Sequence, residues 1–293
     1  MNTIYFLQTS PDIFLVFIAF IGLCLGSFLN VVIYRLPRMM RNQWQEECRH
    51  YLGLKPQPHE TEHLSLWLPG SHCIHCKKPI KPWNNIPVLS YLLLRGRCNY
   101  CHASISLRYP IVELICAVSS VYLAWQFGVT WLTLFALFFN WILIALTFID
   151  IDFHLLPDQL TLLLLWLGLL ASIFGLFCNC HDAILGAILG YLIFACIEWI
   201  FKLATHKSGM GQGDFKLLAA LGAFLGWQHI PTVILLASLI GIIFGLTHML
   251  IRRQLKSVPL PFGPYLAGAG WICLIWGQEI LNSYWHLMGI VRL

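Results

Sequence analysis

The chain has 293 residues, of which 58% are hydrophobic and only 11% charged. A soluble domain carries about a quarter of its residues charged, so a soluble α/β enzyme is excluded, as is a disordered or collagen-like chain. The net charge of +5 does not point to nucleic acid, because 11 of the 18 Lys and Arg residues lie between Arg35 and Arg108. Such segregation is what the positive-inside rule produces in a membrane protein.

Crossing ~30 Å of hydrocarbon takes about 20 helical residues. Apolar runs of that order lie at about 12–34, 111–127, 130–149, 159–177, 183–201, 214–227, 230–251 and 261–281. They predict an all-α polytopic membrane protein of about eight spans in a lipid bilayer, with a hydrophilic insertion after the first. The first run lacks a basic segment before it and reads as a permanent anchor, not a cleaved signal. The expected organisation is a first helix (1–34), an insertion (35–110) and a membrane core (111–293). With eight spans, the insertion shares a side with loops 150–158, 202–213 and 252–260. Those loops add Lys202, Lys207, Arg252, Arg253 and Lys256, whereas the opposite side holds only Arg292. The basic side is expected to be cytoplasmic. Gly22/Gly26 and Gly241/Gly245 have the small-xxx-small spacing of closely packed helices.

Within the insertion, Cys73-Ile-His-Cys-Lys-Lys-Pro-Ile80 and Cys98-Asn-Tyr-Cys-His-Ala-Ser-Ile105 echo each other. Each is a CxxC followed by an apolar residue. Paired knuckles supply four thiolates, Cys73, Cys76, Cys98 and Cys101, in the tetrahedron that suits structural zinc. Disulfides are the competing reading, but persistent disulfides are rare in a reducing cytosol. A four-thiolate site has no open position for substrate, so the metal is expected to fold the insertion.

Two acidic clusters stand out. The first, Phe148-Ile-Asp-Ile-Asp-Phe-His-Leu-Leu-Pro-Asp158, closes the third run. Asp158 reads as a helix N-cap and Asp152 as a turn residue. Asp150 fits neither role, because the negative end of a helix dipole disfavours a carboxylate. The second, Gly209-Met-Gly-Gln-Gly-Asp214, opens the sixth run. It lacks the Gly-Lys-Ser/Thr of a phosphate loop. Gly211 and Gly213 instead leave room for an extended substrate backbone beside Asp214.

Asp150 closes an inward-running helix and Asp214 opens an outward-running one, so the two carboxylates arrive at the same depth. That suggests an aspartyl dyad in which one carboxylate activates water and the other donates a proton. The dipoles suggest Asp150 as the acid and Asp214 as the base. The bland alternative is an N-cap at Asp214 and turn aspartates elsewhere. A proton-coupled transporter and a membrane-anchored zinc scaffold are the competing functions.

These residues resemble those of the type IV prepilin leader peptidases, the bifunctional peptidase/N-methyltransferases of the GxGD aspartyl class. The resemblance rests on Gly26-Ser-Phe-Leu-Asn-Val-Val-Ile-Tyr-Arg-Leu-Pro37, the paired CxxC, Arg108-Tyr-Pro-Ile-Val-Glu113, Asp150–Asp158, Gly211-Gln-Gly-Asp214 and Pro261-Phe-Gly-Pro-Tyr265. It implies cleavage of the leader of type IV prepilins and type II secretion pseudopilins after a glycine, at the cytoplasmic face of the bacterial inner membrane. It also implies methylation of the new N-terminal residue by S-adenosylmethionine. By motif, Asp150 and Asp214 carry over as catalytic, with Asp152 as a rival for the first role, and the four cysteines as zinc ligands. Gly26–Pro37, Arg95-Gly96-Arg97 and Glu113 are candidates for methyl transfer.

Overall fold

The structure is a computed structural model that describes residues 8–54, 65–207, 209–252 and 261–287. All the named elements are helices: α1 (Pro11–Tyr51), the short α2 (Leu89–Leu93), α3 (Arg108–Phe127), α4 (Trp131–Phe153), α5 (Asp158–Ile173), α6 (Cys180–Thr205), α7 (Gln212–Leu225), α8 (Ile230–Arg252) and α9 (Gly263–Leu287). Short 3-10 turns occupy Pro82–Asn85 and Trp227–His229. The chain divides into two units, Met1–Ala145 and Leu146–Leu293.

A helix covers each of the eight expected runs, but the expectation of eight spans is not borne out. Five segments among the described residues are long and apolar enough to cross a membrane: Pro11–Tyr51, Arg108–Phe127, Trp131–Phe153, Cys180–Thr205 and Trp227–Ile251. At 1.5 Å per residue, α5 reaches about 24 Å and α7 about 21 Å, short of ~30 Å of hydrocarbon. α9 is long, but Gly263–Gly270 and Gln278-Glu279 dilute its apolar character. Most of loop 252–260 and Arg292 lie outside the described residues.

In the first unit, α1 does not stop near residue 34. It continues to Tyr51 through Pro37. The residues after Pro37 are charged but are good helix formers (Arg, Met, Gln, Glu), so the chain can leave the apolar layer without leaving the helix. Gln43 donating to Glu47 at 2.9 Å supports this extension. Gly22 and Gly26 let α1 lie directly on α3. A Cβ at Gly22 would come within 2.8 Å of Ala117 Cα, and one at Gly26 within 2.7 Å of Glu113 Cα. Asn30 Nδ2 donates to the Tyr109 carbonyl at 3.1 Å across the same seam. Asn140 donates to Ser119 Oγ and Trp141 Nε1 to Ser120 Oγ, both at 2.9 Å, joining α4 to α3.

The second unit is built around α7. From Phe215 to Leu225 it is buried except at Lys216, the pattern of a helix that is apolar all round and surrounded by others. Gly186 and Gly190 of α6 press against the α7 backbone at Gly222 and Leu218, and Gly168 of α5 meets Ala223 and Phe224. Gly241 faces the Tyr265 ring, not a helix backbone, so it does not repeat the packing of Gly22 and Gly26.

Candidate active site and metal centre

Asp150 lies one turn before the end of α4, and Asp214 in the first turn of α7. Both are buried, 6% and 9% exposed, and near enough for the two carboxylates to repel one another. The ends of three helices build this locus. The backbone N–H of Gly263, which opens α9, donates to Asp150 Oδ2 at 2.9 Å. α4 ends where His154 enters the left-handed region at φ 51°. The chain then turns so that Leu156 fills the space between the parts. A Cβ on Gly213 would lie 2.7 Å from Leu156 Cβ, and one on Gly263 would lie 2.6 Å from Asp150 Oδ2 and 3.1 Å from Leu156 Cδ2. Gly211 is exposed, and a Cβ there would be 3.6 Å from Asp214 Oδ2. The two glycines therefore differ: Gly213 is required by packing, and Gly211 keeps one side of Asp214 open.

Three expectations change. Asp158 is not an N-cap; Pro157 holds that position and makes no side-chain cap bond. Both Asp158 oxygens instead accept from Lys216 Nζ at 2.7 Å. Asp214 is not an N-cap either, because α7 is capped by Gly211. The dipole asymmetry between the carboxylates also lapses. Asp150 ends its own helix but sits on the N-terminus of α9, whose free N–H favours negative charge there as α7 does for Asp214. The contribution of Gly263 was missed from sequence, although Pro261-Phe-Gly-Pro-Tyr265 was a visible motif. Asp152 lies two residues beyond Asp150, about 200° round the helix, and is exposed.

The cysteines form a second site. The ligand atoms of Cys73, Cys76, Cys98 and Cys101 lie within 4.8 Å of one another, with Cys73 and Cys101 sulfurs 3.7 Å apart. Zn–S bonds of about 2.3 Å in a tetrahedron place sulfurs about 3.8 Å apart, so the four thiols could hold such an ion. The two knuckles repeat atom for atom. Lys77 N–H donates to Cys73 O and His102 N–H to Cys98 O, at 2.8 and 3.0 Å. Both donors have positive φ, 55° and 56°. Cys73 and Cys98 N–H reach Lys78 and Ala103 carbonyls, and Ile80 and Ile105 N–H reach those of Ser71 and Gly96. The bridges His72–Pro79 and Arg97–Ser104 correspond in the same way. Backbone N–H groups of Cys101 and Tyr100 stabilise the Cys98 thiolate and draw its pKa down from the usual thiol value to about 6.

The candidates for methyl transfer tie the insertion to its helices. Arg35 is buried and donates to the Ser65 and Pro69 carbonyls at 2.9 and 2.6 Å. Glu113 is buried and accepts the Val88 N–H at 2.8 Å. Val88 is a β-branched residue held at φ 58°, a strained conformation. Gly96, at φ 67°, leaves room for the Tyr91 hydroxyl.

Two family models match the chain. Residues 20–127 match the bacterial peptidase A24 N-terminal domain, and residues 137–246 match the type IV leader peptidase family. Among curated proteins, the chain is 50% identical over 289 residues to a prepilin leader peptidase/N-methyltransferase of Pseudomonas aeruginosa, covering 99% of each. It is 52% identical over 282 residues to that of Aeromonas salmonicida, covering 96% of each. It is 46% identical over 275 residues to that of Neisseria gonorrhoeae, covering 94% of this chain and 95% of the relative. No solved structure matches. With matched models along both units and relatives aligned nearly end to end, the chain belongs to the type IV leader peptidase family.

Proposed function

We infer that this protein cleaves the leader from type IV prepilins by an Asp150/Asp214 dyad and then N-methylates the new N-terminus. Kinship to the prepilin leader peptidase/N-methyltransferases carries the two activities. The observation that carries the dyad is the meeting of two buried carboxylates, 64 positions apart in the chain, at one locus with open backbone beside Asp214. Two like charges so close favour a state with one proton between them. The unprotonated carboxylate then takes a proton from water as it attacks the scissile carbonyl, and the protonated one donates to the departing amide nitrogen. The Gly263 N–H holds Asp150 Oδ2, leaving Oδ1 to face the reaction. Asp152, exposed and turned from this locus, is left outside the chemistry.

The finer assignments belong to the same proposal. Gly211, on the open side of Asp214, receives the prepilin backbone, and Gly213 lets the same stretch lie close on Leu156. Zinc in the Cys73/Cys76/Cys98/Cys101 tetrahedron holds the two knuckles of 35–110 together and takes no part in either reaction. Methylation uses S-adenosylmethionine, and 35–110 together with the α1 and α3 residues it touches is its region. Residues 111–293 are the peptidase core. Type II secretion pseudopilins are substrates alongside prepilins. The basic insertion lies on the cytoplasmic side of the inner membrane, so the peptidase site faces the cytoplasm, where a cationic leader can wait without entering lipid.

The test is a cleavage assay on purified full-length protein with a prepilin carrying a Gly–Phe junction, read by product mass. Wild type and Asp152→Asn should cut, and Asp150→Asn and Asp214→Asn should not. An active Asp150→Asn with an inactive Asp152→Asn would move the first role to Asp152. A folded wild type that leaves prepilin whole across lipids and pH would overturn the peptidase reading in favour of a transporter or scaffold.

A further inference from the structure

Glu198 is an anomaly of α6. It lies inside one of the apolar membrane-length helices, seven residues before the helix ends at Thr205, which is about 10 Å from that end at 1.5 Å per residue. A carboxylate at such depth is costly unless it is satisfied. Here the chain itself returns to satisfy it. α6 stops at His206, which takes the left-handed conformation at φ 55°. The chain then doubles back along the helix it has just left. Gly209 N–H donates to both Glu198 oxygens, at 3.2 and 3.1 Å, and Met210 N–H donates to Oε2 at 3.0 Å. Gly209 lies flat on Phe201, where a Cβ would sit 2.8 Å from the ring. The very next residue, Gly211, caps α7, and Asp214 follows three positions on.

We propose that Glu198 is a positioning residue of the peptidase. Its carboxylate pins the returning backbone at Gly209–Met210 and so fixes the depth and register at which Gly211–Asp214 meets the substrate. It touches no reacting atom. It acts through the loop. Without the acceptor, the Gly209 and Met210 N–H groups lose their partner and the loop loosens, so the open backbone beside Asp214 is no longer preformed. Substrate then bears the cost of ordering it, which appears in KM. The inference rests on the assignment of Asp214 to the dyad.

Because Oε2 accepts two of the three bonds, an amide oxygen in its place can keep both. Glu198→Gln should therefore rescue what Glu198→Ala loses. Purified full-length enzyme in nanodiscs would be assayed for prepilin cleavage, with methylation of already mature pilin as a measure of folded protein. Glu198→Ala should raise KM for prepilin about tenfold, and Glu198→Gln should stay within about threefold of wild type. Methylation should be unchanged in both. Amide exchange at Gly209 and Met210 should quicken in the alanine variant only. An unchanged KM in Glu198→Ala, or a fall in kcat and methylation together, overturns the proposal. Asp214→Asn, run in parallel, separates the claims: if it still cleaves, the dyad falls; if it is dead while Glu198→Ala is normal, only the role of Glu198 falls.

Discussion

The two sites of this protein are assembled by opposite means. The cysteine centre is local. Each knuckle carries its ligands three residues apart, the second knuckle repeats the first 25 residues on, and the same backbone bonds recur in both. The aspartate site is non-local. Asp150, Leu156, Asp214 and Gly263 come from segments separated by up to 113 positions, and they meet only because α6 and α5 let their glycines press onto α7. The knuckle's geometry is a property of two short peptide segments whose four thiols converge. The aspartate locus is a property of helix packing. Damage to the first should spread through the insertion, while damage to the second should be felt at the chemistry before it is felt in the fold.

The strongest break in that comparison comes from Asp150→Asn or Asp214→Asn. Cleavage should fall at least about a thousandfold, as when one partner of an acid–base pair is lost, while metal content and methylation of mature pilin stay as in wild type. Loss of metal in these variants would show that the two regions are not separable. Next is Cys76→Ser, or removal of the metal by a strong chelator. Metal content should drop from one ion per chain toward none, and protease sensitivity should rise across 65–107, because ligand binding and folding are one event in such modules. Since protons compete for thiolates, metal occupancy should increase with pH.

Packing effects rank third. Gly213→Ala drives a methyl group to 2.7 Å from Leu156 Cβ. Such overpacking costs about 1–3 kcal/mol, and cleavage should fall accordingly. Adding Leu156→Gly, which removes the Cβ that the new methyl group meets, should recover part of the loss, so that the two changes are non-additive in a double-mutant cycle; strict additivity would show that the contact does not matter. The smallest effect belongs to Lys216→Ala. Its bond to Asp158 is well aligned but half open to solvent, and exposed pairs contribute under about 1 kcal/mol. A shift of melting temperature beyond a few degrees would mark that pair as more than surface decoration.

The same contrast explains what the sequence makes legible. The knuckles are visible because ligand type and spacing carry the whole constraint. Both aspartates could be picked out because a carboxylate is conspicuous in an apolar run. The donor to Asp150 was hidden, since a backbone N–H has no letter of its own; only the unusual Pro261-Phe-Gly-Pro-Tyr265 string hinted at it. Glu198 was equally opaque, its partners being backbone groups 11 and 12 residues away. Hydropathy found the helices, and five of the segments among the described residues have the length and apolarity of a span; composition does not separate an apolar helix surrounded by protein from one surrounded by lipid. α7 is the clearest case. The first helix shows the complementary point: charge marks the edge of its apolar run near residue 34, whereas the helix itself runs on to Tyr51.

The brevity of α7 has a consequence for what the enzyme can measure. At one end its chain turns at Trp227, whose indole N–H is held by Asp182 at 3.0 Å, a residue type at home in the headgroup region. From Leu225 back to Asp214 is about 17 Å of helix, so with Trp227 at one headgroup layer the carboxylate would lie well short of the opposite edge of ~30 Å of hydrocarbon. A substrate helix inserted beside it would then be cut at a point set by bilayer thickness as much as by side-chain recognition. The membrane acts as a ruler: thicker lipid should bury the dyad beyond the reach of a short substrate, and thinner lipid should bring it level with one that would otherwise be spared.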